Sequence, residues 1–165
     1  MQVPAQDPAE LFDRLVEQAV PGRRGLDAWR SLLHAHATLM RKLDNDLSRE
    51  TGLSLADFDV LAKLAIAGGR LRMTQLAERV LISRSGMTRR VSRLVEEGLL
   101  RRTRLEDDAR AVVVELTEAG MARLEETVPV HARGVAESFV DQLSAQELGV
   151  LKTALDKVIA DCSFG

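Results

Sequence analysis

The fold of this chain is decided by residues 73–91, which read MTQLAERVLISRSGMTRRV. Thr74 can cap a short helix here, and residues 81–83 leave room for only a tight turn. A second helix follows at once, capped by Ser83 and stopped by Gly98. Two short helices joined by a three-residue turn are typical of a helix-turn-helix, a motif that places its second helix against DNA.

The second helix of this motif has two chemically different faces. Its apolar residues lie within about 80° of Met87 on a helical wheel; they are Met87, Val91, Leu94 and Val95. The opposite face and its flanks carry hydroxyls and cations, namely Arg84, Ser85, Thr88, Arg89, Arg90, Ser92 and Arg93. In a DNA major groove, arginine can donate two hydrogen bonds to guanine, and hydroxyls can reach base edges or phosphates. We therefore predict that this helix contacts DNA with its first two turns.

The charge of the chain is unevenly distributed. Residues 70–110 contain eleven arginines, no lysine and six acids, which gives this segment a net charge of +5. Since the whole chain carries −2, the remainder carries −7. A basic segment built from arginine alone on an acidic body favours a polyanionic partner such as double-stranded DNA. The alternative is a merely solvated basic face, which would normally mix lysine with arginine.

Three helices are predicted before the basic region. A short amphipathic helix covers residues 7–19, and residues 23–25 form a linker behind it. A long apolar stripe then predicts a helix over residues 26–52. The third helix begins with a pattern that resembles a capping box, Ser54 and Asp57.

A β-hairpin and two helices are predicted after the basic helix. Residues 99–104 and 111–116 have the composition of two strands separated by an acidic turn. Thr117 caps a long helix that Pro129 should kink or locally break. Residues 144–147 form the capping box of a last helix.

Together these elements predict a mainly α fold with a small β-hairpin wing, that is, a winged helix-turn-helix lobe with a helical dimerisation region. The lobe is expected at residues 53–117 and the dimerisation region at 26–52 and 118–165, while residues 1–25 form an N-terminal helix and linker. The last helix has a wide apolar stripe, namely Leu148, Leu151, Leu155 and Ile159. Such a stripe favours pairing with a second chain over ordinary packing within one chain.

Further DNA contacts are predicted outside the basic helix. Thr74 and Gln75 begin the preceding helix, where a hydroxyl, an amide and backbone N–H groups can contact a phosphate. Arg110 at the hairpin tip can enter a minor groove, or it can pair with Asp107 or Asp108 and shape the turn. The predicted DNA contacts are Thr74, Gln75, Ser83, Arg84, Ser85, Thr88, Arg89, Arg93 and Arg110.

Residues 26–159 resemble the MarR family of bacterial winged-helix regulators. The resemblance is carried by residues 73–91, by LVEEGLL at residues 94–100 and by VELTEAG at residues 114–120. The family pattern has two adjacent arginines after the wing aspartate, where this chain has Asp108-Ala109-Arg110. The resemblance implies a transcription regulator whose N- and C-terminal helices interlock in a homodimer. It also implies a pseudo-palindromic operator with half-sites about one turn of DNA apart.

The resemblance further implies a small-molecule effector. The chain resembles the branch that senses urate and related purines, which uses a tryptophan, an aspartate and two arginines. Asp59, Arg90 and Arg102 fall at three of these positions; the tryptophan position falls near Ala19, whereas Trp29 lies in the next helix. The implied site is therefore Trp29, Asp59, Arg90 and Arg102. A small anionic aromatic or purine effector would compete for an Asp59–Arg102 ion pair. A purely structural ion pair and a phosphate-contacting Arg90 are the alternative.

The sequence disfavours several other classes. No nucleophile–base pair, metal-ligand cluster or phosphate-binding glycine loop is visible, so no enzymatic activity, cofactor or metal is expected. The three histidines are interpreted as core or pocket-lining residues: His34, His36 and His131. The absence of a long apolar run and of a secretion signal predicts a cytoplasmic protein without a membrane partner. The remaining alternative is a winged helix that binds other proteins and has no sequence-specific contact with DNA.

Overall fold

The computed structural model describes residues 7–19, 23–80, 84–105 and 108–162. Within these ranges the elements in chain order are α1 (Pro8–Ala19), α2 (Arg23–Thr51), α3 (Leu55–Ile66), β1 (Arg70–Arg72), α4 (Met73–Arg79), α5 (Arg84–Glu96), β2 (Leu100–Leu105), β3 (Asp108–Leu116), α6 (Glu118–Ser138), a 3-10 turn (Val140–Gln142) and α7 (Ala145–Cys162). The predicted mainly α fold with a small wing is confirmed.

The chain divides into two compact units, Met1–Met40 and Arg41–Gly165. In the first unit, no residue of α1 is buried. Helix α2 begins at Arg23 and continues to Thr51. Residues 23–25 are therefore helical, and the prediction of a linker there was wrong.

The core of the second unit is formed mainly by α3, α4, α5 and the sheet. Its fully buried side chains are Leu47, Val60, Leu61, Leu64, Leu76, Met87, Val91, Leu94, Leu100 and Val114. The two helices of the helix-turn-helix thus share one apolar core with the helix before them and the strands after them, which fixes the position of α5.

The sheet has three antiparallel strands in the order β1-β3-β2. The β2–β3 pair is the predicted hairpin, but β2 is shifted by one residue to Leu100–Leu105, and β3 begins three residues earlier than expected, at Asp108. Strand β1 was not predicted. It is recognised by its pairing with β3, in which Leu71 lies opposite Val114.

Three of the predicted helix caps are present. Ser54 Oγ accepts the N–H of Asp57 at 3.2 Å, and Thr117 Oγ1 accepts the N–H of Gly120 at 3.0 Å. Residues 144 and 147 form the capping box of α7, with the N–H of Ser144 donating to Glu147 Oε2 at 2.8 Å. The predicted cap at Ser83 lies outside the described residues.

Helix α4 begins differently from the prediction. Its first residue is Met73, and Arg72 occupies the N-cap position in an extended conformation. The N–H of Arg72 donates to Gln75 Oε1 at 3.1 Å. Thr74 is therefore not the cap, because pairing in β1 holds Arg72 extended and the helix starts directly after the strand.

Helix α6 runs without interruption from Glu118 to Ser138 and includes Pro129. The expected local break is absent, since proline removes a single helical hydrogen bond and the rest of the ladder can continue on both sides. The first turn of α6 packs against the start of the wing. A Cβ on Gly120 would lie 2.2 Å from the carbonyl oxygen of Leu99, so only glycine fits there.

Candidate DNA-binding site

Helix α5 is anchored by its apolar side, where Met87, Val91 and Leu94 are fully buried. Ser85 and Arg89 are exposed on the other side, as is Thr88. These three residues, which were expected to meet DNA, are thus not packed beneath another segment. This arrangement leaves a surface of hydroxyl and guanidinium groups exposed along the start of α5. We call α5 the recognition helix.

A buried carboxylate joins the recognition helix to α3. Asp57 is only 5% exposed, and its Oδ1 lies 2.7 Å from Nη1 of Arg90. Its other oxygen, Oδ2, accepts a hydrogen bond from Nη2 of Arg93 and another from the Ser54 hydroxyl at 2.5 Å. A buried charge is stable only when it is paired and hydrogen-bonded, and both conditions are met here. Asp57 therefore holds two arginines of the recognition helix in place.

A second contact joins the recognition helix to the wing. Nη2 of Arg102 on β2 donates to the carbonyl oxygen of Thr88 at 3.1 Å and to Ser92 Oγ at 2.8 Å. The Ser92 hydroxyl in turn donates to the same Thr88 carbonyl at 2.9 Å. Ser92 is half-buried beside the wing rather than fully open to solvent. The recognition helix is consequently held from α3 on one flank and from β2 on the other.

The expected Asp59–Arg102 ion pair is not formed. The carboxylate of Asp59 lies 4.0 Å from Nζ of Lys63 in its own helix, and Arg102 is bonded to the recognition helix instead. Residues two positions apart on a helix point to different sides. Asp57 therefore lies on the buried side of α3 with Leu61 and Leu64, whereas Asp59 is only partly buried.

Sequence reasoning interpreted Asp57 as a cap and missed its contact with the recognition helix. A signal was present, because Asp57 precedes Leu61 by four residues and so continues the apolar stripe of α3. An acid in a buried stripe requires a cationic partner, and the recognition helix is the arginine-rich neighbour in the sequence.

The three described arginine side chains of the recognition helix differ in their contacts. Arg90 and Arg93 are both bound to Asp57, and Arg93 also lies 3.6 Å from Glu97. Arg89 makes no ion pair with any residue of the described ranges. A depression of about 350 Å³ is lined by Gly86, Arg89, Arg90 and Arg93. Arg89 is therefore the arginine here that can turn fully towards a ligand.

The other predicted site residues are placed as follows. Thr74 and Gln75 are exposed, although Gln75 uses its carbonyl oxygen in the bond to Arg72. Ser83 and the side chains of Arg84 and Arg110 lie outside the described part of the chain, as does the alternative pairing of Arg110 with Asp107 or Asp108. Trp29 belongs to the first unit, and its side chain is 55% exposed.

The histidines do not form a metal site in the described ranges, which contain no group of three metal-binding side chains. His34 and His36 are exposed on α2, so they are not core residues, and their interpretation as pocket-lining residues stays a prediction. His131 of α6 packs on Phe58 of α3, with ring centroids 4.5 Å apart. Burial lowers the pKa of His131, and the nearby charge of Asp59 opposes this effect. No helix in the described residues is long and apolar enough to cross a membrane.

Fold and surface together define a winged helix-turn-helix protein, and comparison with known proteins identifies its family. A family model described as the MarR family matches residues 51–111. The transcriptional regulator PecS of Dickeya dadantii is 32% identical over 120 residues, which cover 72% of this chain and 71% of PecS. The transcriptional repressor YetL of Bacillus subtilis is 34% identical over 95 residues, or 55% of this chain and 57% of YetL.

The solved structures give the same result. Sco3205, a MarR family transcriptional regulator from Streptomyces coelicolor solved in complex with DNA, superposes with a TM-score of 0.79 at 31% identity. The alignment covers 85% of this chain and 88% of Sco3205. The chain belongs to the MarR family of transcriptional regulators. The members of this family act as regulators rather than as enzymes.

Proposed function

We propose that this chain is a sequence-specific DNA-binding repressor that binds a pseudo-palindromic operator as a homodimer. The observation that carries the proposal is the recognition helix, in which Met87, Val91 and Leu94 are fully buried while Ser85, Thr88 and Arg89 are exposed. The similarity to Sco3205, a regulator solved with DNA, and to YetL, a repressor, supports it. Because the proposed target is bacterial DNA, the protein is expected to act in the cytoplasm.

In this proposal the recognition helix enters the major groove, where Arg89 donates to a guanine edge. Hydroxyls and further arginines contact phosphates, and Arg110 reaches the adjacent minor groove. The full set of contacts is Thr74, Gln75, Ser83, Arg84, Ser85, Thr88, Arg89, Arg93 and Arg110. The pairing of Arg93 with Asp57 gives Arg93 a second task, since it also keeps the helix in place.

The proposed homodimer is supported by apolar surface that the chain leaves uncovered. In α1, the side chains of Leu11, Phe12 and Leu15 are all exposed. In α7, no described side chain is buried, and Val150, Val158 and Ile159 are each more than half exposed. Apolar faces of this extent usually meet a partner, and the family pattern supplies a second copy. Two-fold symmetry then places half-sites about ten base pairs apart.

The proposed effector is a small anionic aromatic compound or a purine. Arg90 and Arg102 belong to the implied effector site. Arg90 is bonded to Asp57 of α3, and Arg102 of the wing is bonded to Ser92, so both contacts hold the recognition helix in position. An anion that binds these guanidinium groups would compete with Asp57 and with the Thr88 carbonyl, and would shift the helix through its differential affinity. Trp29 and Asp59 complete the set implied by the family resemblance.

The effector proposal is tested by a thermal-shift screen against purines and phenolic acids, followed by DNA release. A true effector raises the melting temperature and displaces the operator, and Arg102→Gln weakens its effect. A compound that raises the melting temperature but leaves DNA binding unchanged argues against the proposed coupling.

The DNA-binding proposal is tested by titrating the protein with its own upstream DNA and with random DNA at two salt concentrations. Tight binding to the upstream fragment that weakens steeply with salt is expected, because phosphate contacts release counterions. Affinity that is weak for both fragments, or that does not depend on salt, would favour the alternative of a protein-interaction module.

A further inference from the structure

A charged surface lies on the side of the sheet that faces away from the core. Side chains alternate along a strand, so the neighbours of Leu71 and Val114, which are buried in the core, point to the opposite side. We call this surface the outer sheet face. Its members are Arg70, Arg72, Arg101, Thr103, Val113 and Glu115. Three of the six are arginines and one is an acid.

The strand register arranges these side chains in two rows. Arg70, Glu115 and Arg101 form the first row. Nε of Arg101 donates to Glu115 Oε2 at 2.6 Å, and this bond is the main reason why the pKa of Glu115 lies below its usual range. Arg70 also acts on the same carboxylate through its charge. One ionised acid is thus shared between two arginines, which leaves the row with a net positive charge.

The second row contains Arg72, Val113 and Thr103. Val113 is buried although it is not part of the core cluster. Arginine commonly lays its aliphatic stem over apolar surface and keeps its guanidinium in water. Val113 lies directly opposite Arg72 and can support that stem. Arg72 is exposed and makes no ion pair within the described part of the chain.

We propose that the outer sheet face binds the sugar–phosphate backbone of the operator, beside the segment that the recognition helix covers. This inference rests on the proposed function. Arg72 adjoins the proposed DNA surface, because its backbone N–H donates a hydrogen bond to Gln75, which is one of the proposed DNA contacts. Among the six members of this face there is no exposed apolar side chain, since Val113 is buried, and protein-binding surfaces usually depend on apolar anchors. Arginine is well suited to phosphate, which it can bind through two parallel hydrogen bonds.

The experiment compares Arg70→Gln and Arg72→Gln with Lys63→Gln as a matched control. Lys63 lies on α3, where it pairs with Asp59 of the same helix, and its substitution removes the same charge outside the proposed DNA and dimer contacts. Each protein is titrated with a duplex that ends at the half-sites and with one extended by about ten base pairs on each side. Titrations are repeated over a range of salt concentrations, after circular dichroism has shown that the variants are folded.

The wild-type protein is expected to bind the longer duplex more tightly. In each arginine variant, the difference in affinity between the longer and the shorter duplex should become smaller. The slope of log affinity against log salt should also become shallower by about one. The control should keep both properties of the wild type. If the arginine variants match the wild type on both duplexes, this inference is overturned and the proposed function stands.

Two further outcomes also decide the matter. If the wild-type protein binds neither duplex, the proposed function fails and the inference fails with it. If the variants bind DNA normally but lose retention on immobilised polyglutamate, the face is a surface for acidic proteins, which also overturns the inference.

Discussion

Nη1 of Arg90 on the recognition helix lies 2.7 Å from Oδ1 of Asp57 on α3. The pair connects the recognition helix to the helix that precedes the helix-turn-helix. Because the carboxylate is buried and the guanidinium is largely so, water competes weakly for the contact. The orientation of the recognition helix therefore depends on a residue that lies beneath the proposed DNA-binding surface.

Replacing Asp57 tests this dependence. Asp57→Asn should lower the free energy of unfolding by about 1–3 kcal/mol, because it leaves Arg90 and Arg93 without their charged partner. It should also weaken operator binding, since the recognition helix loses its contact with α3 and keeps only its contact with β2. Urea denaturation measures the first effect and DNA titration the second. Asp59→Asn is the control and should change stability by less than about 0.5 kcal/mol; equal effects of the two substitutions would contradict the assignment.

Arg89 is expected to read a base. Arg89→Ala should cost about 1–3 kcal/mol of binding free energy on the operator and much less on random DNA. The variant should also become insensitive to substitution of the base pair that Arg89 contacts. Competition titrations with single-substitution operators measure this. An equal loss on operator and random DNA would make Arg89 a phosphate contact instead.

Helix α7 is expected to be essential for dimer formation. Deleting the residues after Leu143 should give monomeric or aggregated protein with little operator binding, because the apolar partner surface becomes exposed to water. Light scattering coupled to size-exclusion chromatography measures the mass. Since a deletion can unfold the chain, Val150→Glu serves as a milder variant at a side chain that is 65% exposed. A tight dimer in both variants would show that α7 is not the interface.

The stability of the protein should fall in mild acid because of His131. Its folded pKa is lowered by burial, so the unfolded chain binds a proton more readily than the folded one. The loss begins as the pH falls through the unfolded pKa of 6.5 and is complete below the folded pKa. His131→Phe keeps the ring contact with Phe58 but should flatten this dependence, as measured by urea midpoints between pH 8 and pH 5. An unchanged pH profile would exclude His131 as the cause.

Periodic apolar residues were enough to predict most helices of this fold. Met87, Val91 and Leu94 identified the buried side of the recognition helix before any contact was known, and the structure buries all three. Local capping chemistry was equally informative at Ser54 and Thr117. These signals lie within a few residues of one another, which is why sequence alone reveals them.

The errors arose where partners are distant in the sequence. Strand β1 consists of three residues, and it is defined by pairing with β3 more than forty positions later. That pairing also moved the start of α4 away from Thr74. Similarly, the choice between Asp57 and Asp59 depends on which side of α3 faces the recognition helix, and only tertiary packing decides that.

The close approach of Gly120 to Leu99 has a mechanical consequence. The Thr117 hydroxyl lies 2.7 Å from the carbonyl oxygen of Gly98 and also caps α6, so the start of α6 is bonded directly to the segment before β2. We expect a rotation of α6 at this end to move the start of β2 with it, because both contacts join the first turn of the helix to residues 98–99.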